Sequence, residues 1–401
     1  MPNAAPDLEC QIFSSFSDIE AERTRWDEFA AFHGAPIYMS FDWCRLWWEF
    51  YGSRRRLAIF RVLADKELVG LLPIFIDDIG PEPFRITLAR LVGAADGPSR
   101  VFDPPLRPDV AARVVHTVVD TLIRGRMCDA VILGPVTSGY AGVTDLAPLF
   151  DGELYRIQTR MIGPLTFFDL SDQPEDYLAT LPGSEQRRRK HDLRNLARHG
   201  AKETMIVGPG PDIETEFREL ARLHTGDWDS KGRLGHFRAW PKAGEYHLAL
   251  AKCLSGLNRL RLLKIEADQE TVLYDYVYAF GRSYFGELRA RSLDRKWSKI
   301  SLGSCALIFE LRHAVREGMT CLYVGVGHNE YEARLGAAER PAVTVMVSSR
   351  RWPARVRVAA FSLVYTLVEL LYFKIWYMRI QPRLPRFFRR PIWKFWSMIS
   401  I

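Results

Sequence analysis

Two short segments of this 401-residue chain carry residue types at a spacing that can do chemistry. Ser301-Leu302-Gly303-Ser304 opens an amphipathic run. A helix start offers unpaired backbone N–H groups and the positive end of a dipole to an anion. Gly303 lets the backbone approach closely, Ser304 can cap the helix, and Arg295, Lys296 and Lys299 add positive charge just upstream. Such a turn can hold a diphosphate, although Ser and Gly also open helices that bind nothing. The second segment contains Glu287, inside the strand-like run 284–290. A buried carboxylate is costly unless it is used or paired, so Glu287 is a candidate general base, with Arg289 and Arg291 as alternative ion-pair partners. Asp275, on the preceding run, and His328, after the next one, compete for the role. Histidine is the usual base near neutral pH, and a lone one at a strand end is as readily structural.

These residues need a scaffold, and the surrounding pattern supplies it. Runs 272–280 and 284–290 are rich in aromatic and β-branched residues and are separated by Gly281-Arg282-Ser283, which predicts a hairpin. Residues 304–317 place Leu307, Ile308, Leu311, Ala314 and Val315 at helical spacing and stop at Gly318. Residues 321–326 read as a short buried strand. The order is β-β-α-β, with a parallel pair made by the crossover. Upstream, 184–198 forms a basic helix in which Arg187, His191, Arg194 and Arg198 lie close to one stripe, opposite Leu193, Leu196 and Ala197. A charge run of this kind is a solvated face, a clamp for phosphates, or a contact for an acidic glycan or RNA. No aromatic interleaving supports single-strand nucleic-acid binding. The N-terminal part alternates helices 18–32 and 41–51, strands 57–63 and 68–76, helix 109–124 and strand 130–133. Residues 208–211, Gly-Pro-Gly-Pro, are a loop before a helix at 212–225.

Several motifs occur in a recognisable order. They are Pro36-Ile37-Tyr38-Met39-Ser40-Phe41-Asp42-Trp43 with Trp47-Trp48-Glu49-Phe50-Tyr51-Gly52, then Leu68-Val69-Gly70-Leu71-Leu72-Pro73, then the basic run 187–198. Leu223-His224-Thr225-Gly226-Asp227-Trp228 with Lys231-Gly232, then Ser301-Leu302-Gly303, and finally Gly325 to Gly336, complete the series. Over residues 10–340 this series resembles the GNAT-type acyltransferases associated with bacterial cellulose and exopolysaccharide synthesis, the CelD/BcsL family, which is related to Fem-type peptidyltransferases. Leu302 stands where that family has proline, and Glu332 where it has a lysine after tyrosine.

The resemblance implies an α/β (α+β) fold of tandem GNAT-like domains, each a mixed twisted sheet flanked by helices. Residues 10–165 would be a degenerate first domain, 166–348 the acyltransferase, and 349–401 a basic aromatic tail. It implies transfer of an acyl group other than aminoacyl, from acetyl-CoA or another acyl-CoA, to an amine or glycan hydroxyl by direct attack on the thioester. Tyr331 becomes the candidate acid, because a phenol of pKa ~10 suits proton donation to a departing thiolate. Glu287 and His328 are the base candidates, Ser301, Gly303, Ser304, Lys299 and Arg295 bind the coenzyme, and Arg187, Arg194 and Trp228 contact substrate. Two alternatives stay open: a non-catalytic scaffold beside a membrane polysaccharide synthase, and a Fem-type aminoacyl or peptidyl transferase.

Composition bounds these readings. Cys10, Cys44, Cys128, Cys253, Cys305 and Cys321 show no C-x-x-C spacing, so a zinc site is not expected. Residues 1–9 carry neither a basic n-region nor an apolar h-region, which points to a cytoplasmic location. Residues 350–401 hold 11 Lys and Arg against one acid, a net of +10 that exceeds the +7 of the whole chain and leaves 1–349 at −3. Basicity confined to the tail argues against DNA binding and for a local electrostatic contact. There, the apolar run 358–378 is interrupted by Ser362, Thr366, Glu369 and Lys374. Downstream, Arg379, Arg383, Arg386, Arg389, Arg390 and Lys394 alternate with Phe387, Phe388, Trp393, Phe395 and Trp396. That composition suits an anchor on an anionic membrane surface, here the inner face of the cytoplasmic membrane, or a helix docked on its own core.

Overall fold

The computed structural model describes residues 7–94, 100–140, 143, 146–210, 212–385, 388 and 392. In chain order the first elements are β1 (Leu8–Phe13), α1 (Arg23–Phe32), α2 (Phe41–Tyr51), β2 (Arg56–Ala64), β3 (Glu67–Ile79) and β4 (Ile86–Leu91). Then come α3 (Ala111–Arg124), β5 (Ala130–Thr137), β6 (Tyr155–Asp169), α4 (Gly183–Arg198), β7 (Lys202–Val207), α5 (Ile213–Ser230), α6 (His236–Ala239) and α7 (Ala243–Gly256). The last are β8 (Leu260–Ala267), β9 (Glu270–Phe280), β10 (Ser283–Arg291), α8 (Leu302–Arg316), β11 (Cys321–Val326), α9 (Glu330–Arg334), β12 (Ala338–Ser349) and α10 (Trp352–Leu367). The class is mixed α/β. Two compact units result, one built chiefly from Met1–Gly163 with Arg340–Trp376, the other from Pro164–Glu339.

In the first unit the strands run β1-β2-β3-β4-β5-β12. β2 and β3 are almost wholly buried, which explains their near-continuous apolar sequence. Helices α1 and α2 deliver Trp26, Phe41, Trp43 and Trp47 to the core, Trp47 lying 5.2 Å from Phe75. The β4–β5 pair is parallel and covers Leu88↔Ala130, Ala89↔Val131 and Arg90↔Ile132. Where β4 ends, segment 102–106 takes its place. The Phe102 N–H donates to the Pro135 carbonyl at 2.7 Å and the Leu71 N–H to the Pro105 carbonyl at 3.0 Å. Thr137 donates to Asp103 through both its N–H and its hydroxyl, at 2.7 Å each.

In the second unit the order is β6-β11-β10-β9-β8-β7, with β6 entering through Leu165–Asp169. The expected hairpin is present as β9 and β10, turning at Gly281 with a φ of 58°. The expected helix is α8, which crosses over to β11, parallel to β10. Strand 321–326 is half-buried along most of its length, less covered than the sequence leads one to expect. One face of the sheet is covered by α8, where Leu307, Ile308 and Leu311 meet Tyr284 and Leu322, and Cys305 and Ala306 meet Leu263 and Ile265. The other face carries α5, α6 and α7, with Phe217 6.0 Å from Tyr276.

Candidate functional site

The site begins where two parallel strands stop pairing. β10 and β11 are matched at Ser283↔Cys321, Tyr284↔Leu322 and Phe285↔Tyr323, yet β10 runs on to Arg291 and β11 to Val326. At the last matched register the rings of Phe285 and Tyr323 stack, 5.2 Å apart and 9° from parallel. Each strand is irregular just beyond: β10 shifts register against β9 between Gly286 and Leu288, and β11 shifts against β6 between Tyr323 and Gly325. A wedge opens in the sheet, and among the described residues no backbone segment is laddered into it.

The irregularity in β10 re-aims Glu287. In a regular strand Glu287 and Arg289 share a face. Here Glu287 is the extra residue, and its side chain, 7% exposed, lies 4.0 Å from His247 on α7. Arg289 instead points towards α8, donating to Asp275 from Nε at 2.7 Å and to Glu310 at 3.3 Å. Arg291 stands 3.7 Å from Asp227.

Arg289 is the hub of the α8 face. One guanidinium nitrogen donates to the Gly303 carbonyl at 3.0 Å and to the Tyr331 hydroxyl at 3.4 Å. Tyr331 in turn donates to Glu332 at 2.6 Å, and the Asn329 amide donates to the same carboxyl group at 3.1 Å. Burial and the nearby Asp275 charge push Glu310 well above the usual carboxylate range. Burial opposes charge on Arg289, but Asp275, Tyr331 and Glu310 outweigh it and hold its pKa above the usual value. Burial chiefly, then the contact with Glu332, raises Tyr331 despite the opposing guanidinium, so the phenol keeps its proton at neutral pH. Glu332, 4% exposed, is turned into this network rather than towards solvent.

The turn before α8 lies on the same network. Ser301 is the N-cap, and its carbonyl takes the N–H groups of Ser304 and Cys305 at 3.0 Å each. Its hydroxyl lies 2.9 Å from that of Ser304. The Gly303 N–H has no acceptor among the described residues. A Cβ at Gly303 would meet only Arg289 atoms, at 3.7 and 3.9 Å. Arg295 and Lys299 are exposed and make no ion pair among the described residues, whereas Lys296 is held by Asp268 and Glu270.

The remaining expected residues lie elsewhere. His328 is exposed and bound to Glu339, which raises its pKa. Arg187 and Arg194 are exposed on α4, beside the buried Arg189, which pairs with Asp192 at 2.9 Å. Trp228 packs on the α5 side near His224 and under Lys231. That side also holds a histidine pair that sequence reading passed over: His236 Nδ1 lies 3.1 Å from His224 Nε2. Burial, aided by His236, lowers His224 to about 3. Arg289 as a hub was equally unforeseen, because its partners come from separate elements, Asp275 on β9, Glu310 on α8 and Tyr331 on α9. No group of three or more metal-ligating side chains is found among the described residues.

Residues 186–333 match the family model described as an acetyltransferase (GNAT) domain. No curated protein matches the sequence. Among solved structures, FemX aligns with a TM-score of 0.61 at 9% identity, over 85% of this chain and 98% of that one. A conserved protein of unknown function from Bacteroides thetaiotaomicron VPI-5482 gives 0.52 at 13%, over 82% and 97%. L-PGS from Bacillus licheniformis gives 0.51 at 14%, over 84% and 95%. At these identities the likeness concerns the fold alone, with the GNAT acetyltransferase domain matched over residues 186–333.

Proposed function

We propose that the second unit is an acyl-CoA-dependent acyltransferase of the CelD/BcsL type, passing an acyl group such as acetyl to an amine or sugar hydroxyl in envelope or exopolysaccharide synthesis. The carrying observation is the wedge between β10 and β11 with Arg289 at its edge, linking the Gly303 carbonyl to the Tyr331 hydroxyl. The residues present suit the coenzyme. The Gly303 amide and the cations of Arg295 and Lys299, none with a partner among the described residues, and the Ser301 and Ser304 hydroxyls form a cationic, donor-rich corner for a diphosphate.

A thioester lying in the wedge is reachable from both faces of the sheet, because no ladder closes the gap. The acceptor nitrogen or oxygen attacks the thioester carbon, and its proton passes to Glu287 on the α7 face, next to His247. The carbon–sulfur bond breaks, and the thiolate takes the phenolic proton of Tyr331. Arg289 holds that phenol in place and offsets the charge that develops as it deprotonates. Arg187, Arg194 and Trp228 are assigned to acceptor contacts and His328 to a subsidiary base. Titration of the full chain with acetyl-CoA and with CoA tests the reading. Saturable binding of both supports it, and no binding at millimolar ligand favours the non-catalytic scaffold.

A further inference from the structure

We infer that the outward face of the C-terminal helix, with the arginine groove at its start, docks on the surface of an anionic lipid bilayer. Helix α10 continues from Leu367 through Val368–Ile380, giving a helical run of more than 18 residues that is long and apolar enough to cross a membrane, 22% of its most apolar window being buried. Its inner side is accounted for: Ala354, Val358 and Phe361 are buried, the latter two against Ile86, Leu88, Ala130 and Ile132.

The polar residues that interrupt the run are satisfied locally. Ser362 donates to the Val358 carbonyl at 2.8 Å and Thr366 to the Ser362 carbonyl at 2.9 Å. Glu369 is held by Arg160 at 2.9 Å and by Lys374 at 3.6 Å. What faces outward is Leu363, Val364, Leu367, Leu370, Leu371 and Ile375, from 38% to 63% exposed. A contiguous apolar stripe of this kind marks an interaction surface.

Charge identifies the occupant. At the start of the helix a groove of about 420 Å³ is lined by Arg156, Arg350, Arg355, Ser348, Ser349 and Trp352. Arg156 and Arg355 are exposed and make no ion pair among the described residues, and Trp352 is 73% exposed. Free guanidiniums beside an exposed Trp, next to a leucine stripe, suit lipid phosphates above acyl chains. Because the inner side stays packed on the sheet, the helix lies in the interface instead of crossing it. The basic aromatic residues beyond Pro385, apart from Phe388, lie outside the described residues.

Flotation of the full chain with vesicles of phosphatidylcholine, with and without phosphatidylglycerol, tests this. Binding is expected only with the anionic lipid, weakening with salt. The triple variant Leu363→Asp, Leu367→Asp, Leu371→Asp alters exposed positions and should keep the wild-type circular dichroism while losing flotation. Arg156→Gln and Arg355→Gln should each weaken binding about fivefold. Excess inorganic phosphate should not release the chain, since the stripe needs a bilayer. Absence of flotation, or a triple variant that floats as wild type does, overturns the inference. So does a wild-type dimer that the triple variant makes monomeric without any vesicle binding, which would assign the stripe to a second copy.

Discussion

The two units share one device and use it in opposite ways. Each has an antiparallel run of strands, a crossover helix and a parallel pair matched over three residues, β4–β5 in the first and β10–β11 in the second. Each also has an arginine on the strand before the crossover, paired with an aspartate of the preceding strand. In the first unit Arg90 is fully buried, 2.9 Å from Asp77 and 4.9 Å from the centre of the Phe75 ring, and burial lowers it to about 10. In the second, Arg289 keeps a fifth of its side chain exposed and reaches the helix turn and Tyr331. The gap differs likewise. Segment 102–106 is laced beside β5 in the first unit, and a Cβ at Gly93 would lie 2.4 Å from Trp43 and 2.7 Å from Phe102. Gly303 has room around it. A sheet opening becomes a site only when nothing in the chain fills it.

The comparison can be broken most forcefully at Arg289. Arg289→Ala leaves Asp275 and Glu310 buried without their cation, and roughly 3–5 kcal/mol of stability should be lost together with turnover. Chemical denaturation would show it, and Arg289→Lys should recover part of both. The two glycines sharpen the contrast. Gly93→Ala meets aromatic rings and sits at a φ of 90°, so it should cost about 2–4 kcal/mol. Gly303→Ala should fall within about 0.5 kcal/mol of wild type. Equal melting temperatures for the two variants would contradict the filled and open corners. Tyr331→Phe should slow turnover about a hundredfold with little change in KM; full activity would remove it as the acid.

Titration gives an effect that is absent near neutral pH and grows only as the pH falls. His224 takes up a proton near 6.5 when unfolded but only near 3 when folded, so the unfolded chain binds more protons between those values. Its contribution is therefore whole above 6.5 and lost as pH falls towards 3, by at most about 1.4 kcal/mol per pH unit. His224→Asn should flatten that part of the stability profile.

Much of the scaffold around the site is legible because it depends on local pattern. The hairpin follows from β-branched and aromatic runs about Gly281, and α8 from its apolar spacing and Gly318. β8 and α7 were not foreseen: Leu260–Ala267 mixes charge with aliphatics, and α7 carries its apolar residues without a wide polar face. The chemistry was less legible. Glu287 and Tyr331 are visible as residue types, but the bulge that sends Glu287 away from Arg289 is a property of register between strands. Glu332 stands in the place of a lysine that could serve an anionic ligand, and as a residue type it shows only that loss. The structure instead gives it Tyr331 and Asn329 as partners, an arrangement set by tertiary contacts that no spacing records.

The central claim, an open and coenzyme-competent corner at Gly303, is tested most directly by calorimetric titration of CoA into the wild-type chain and into Gly303→Val. Saturable binding to the wild type, weakened at least about tenfold in the variant with both proteins folded, is the expected result. Equal affinities, or no binding to either at millimolar CoA, would contradict it.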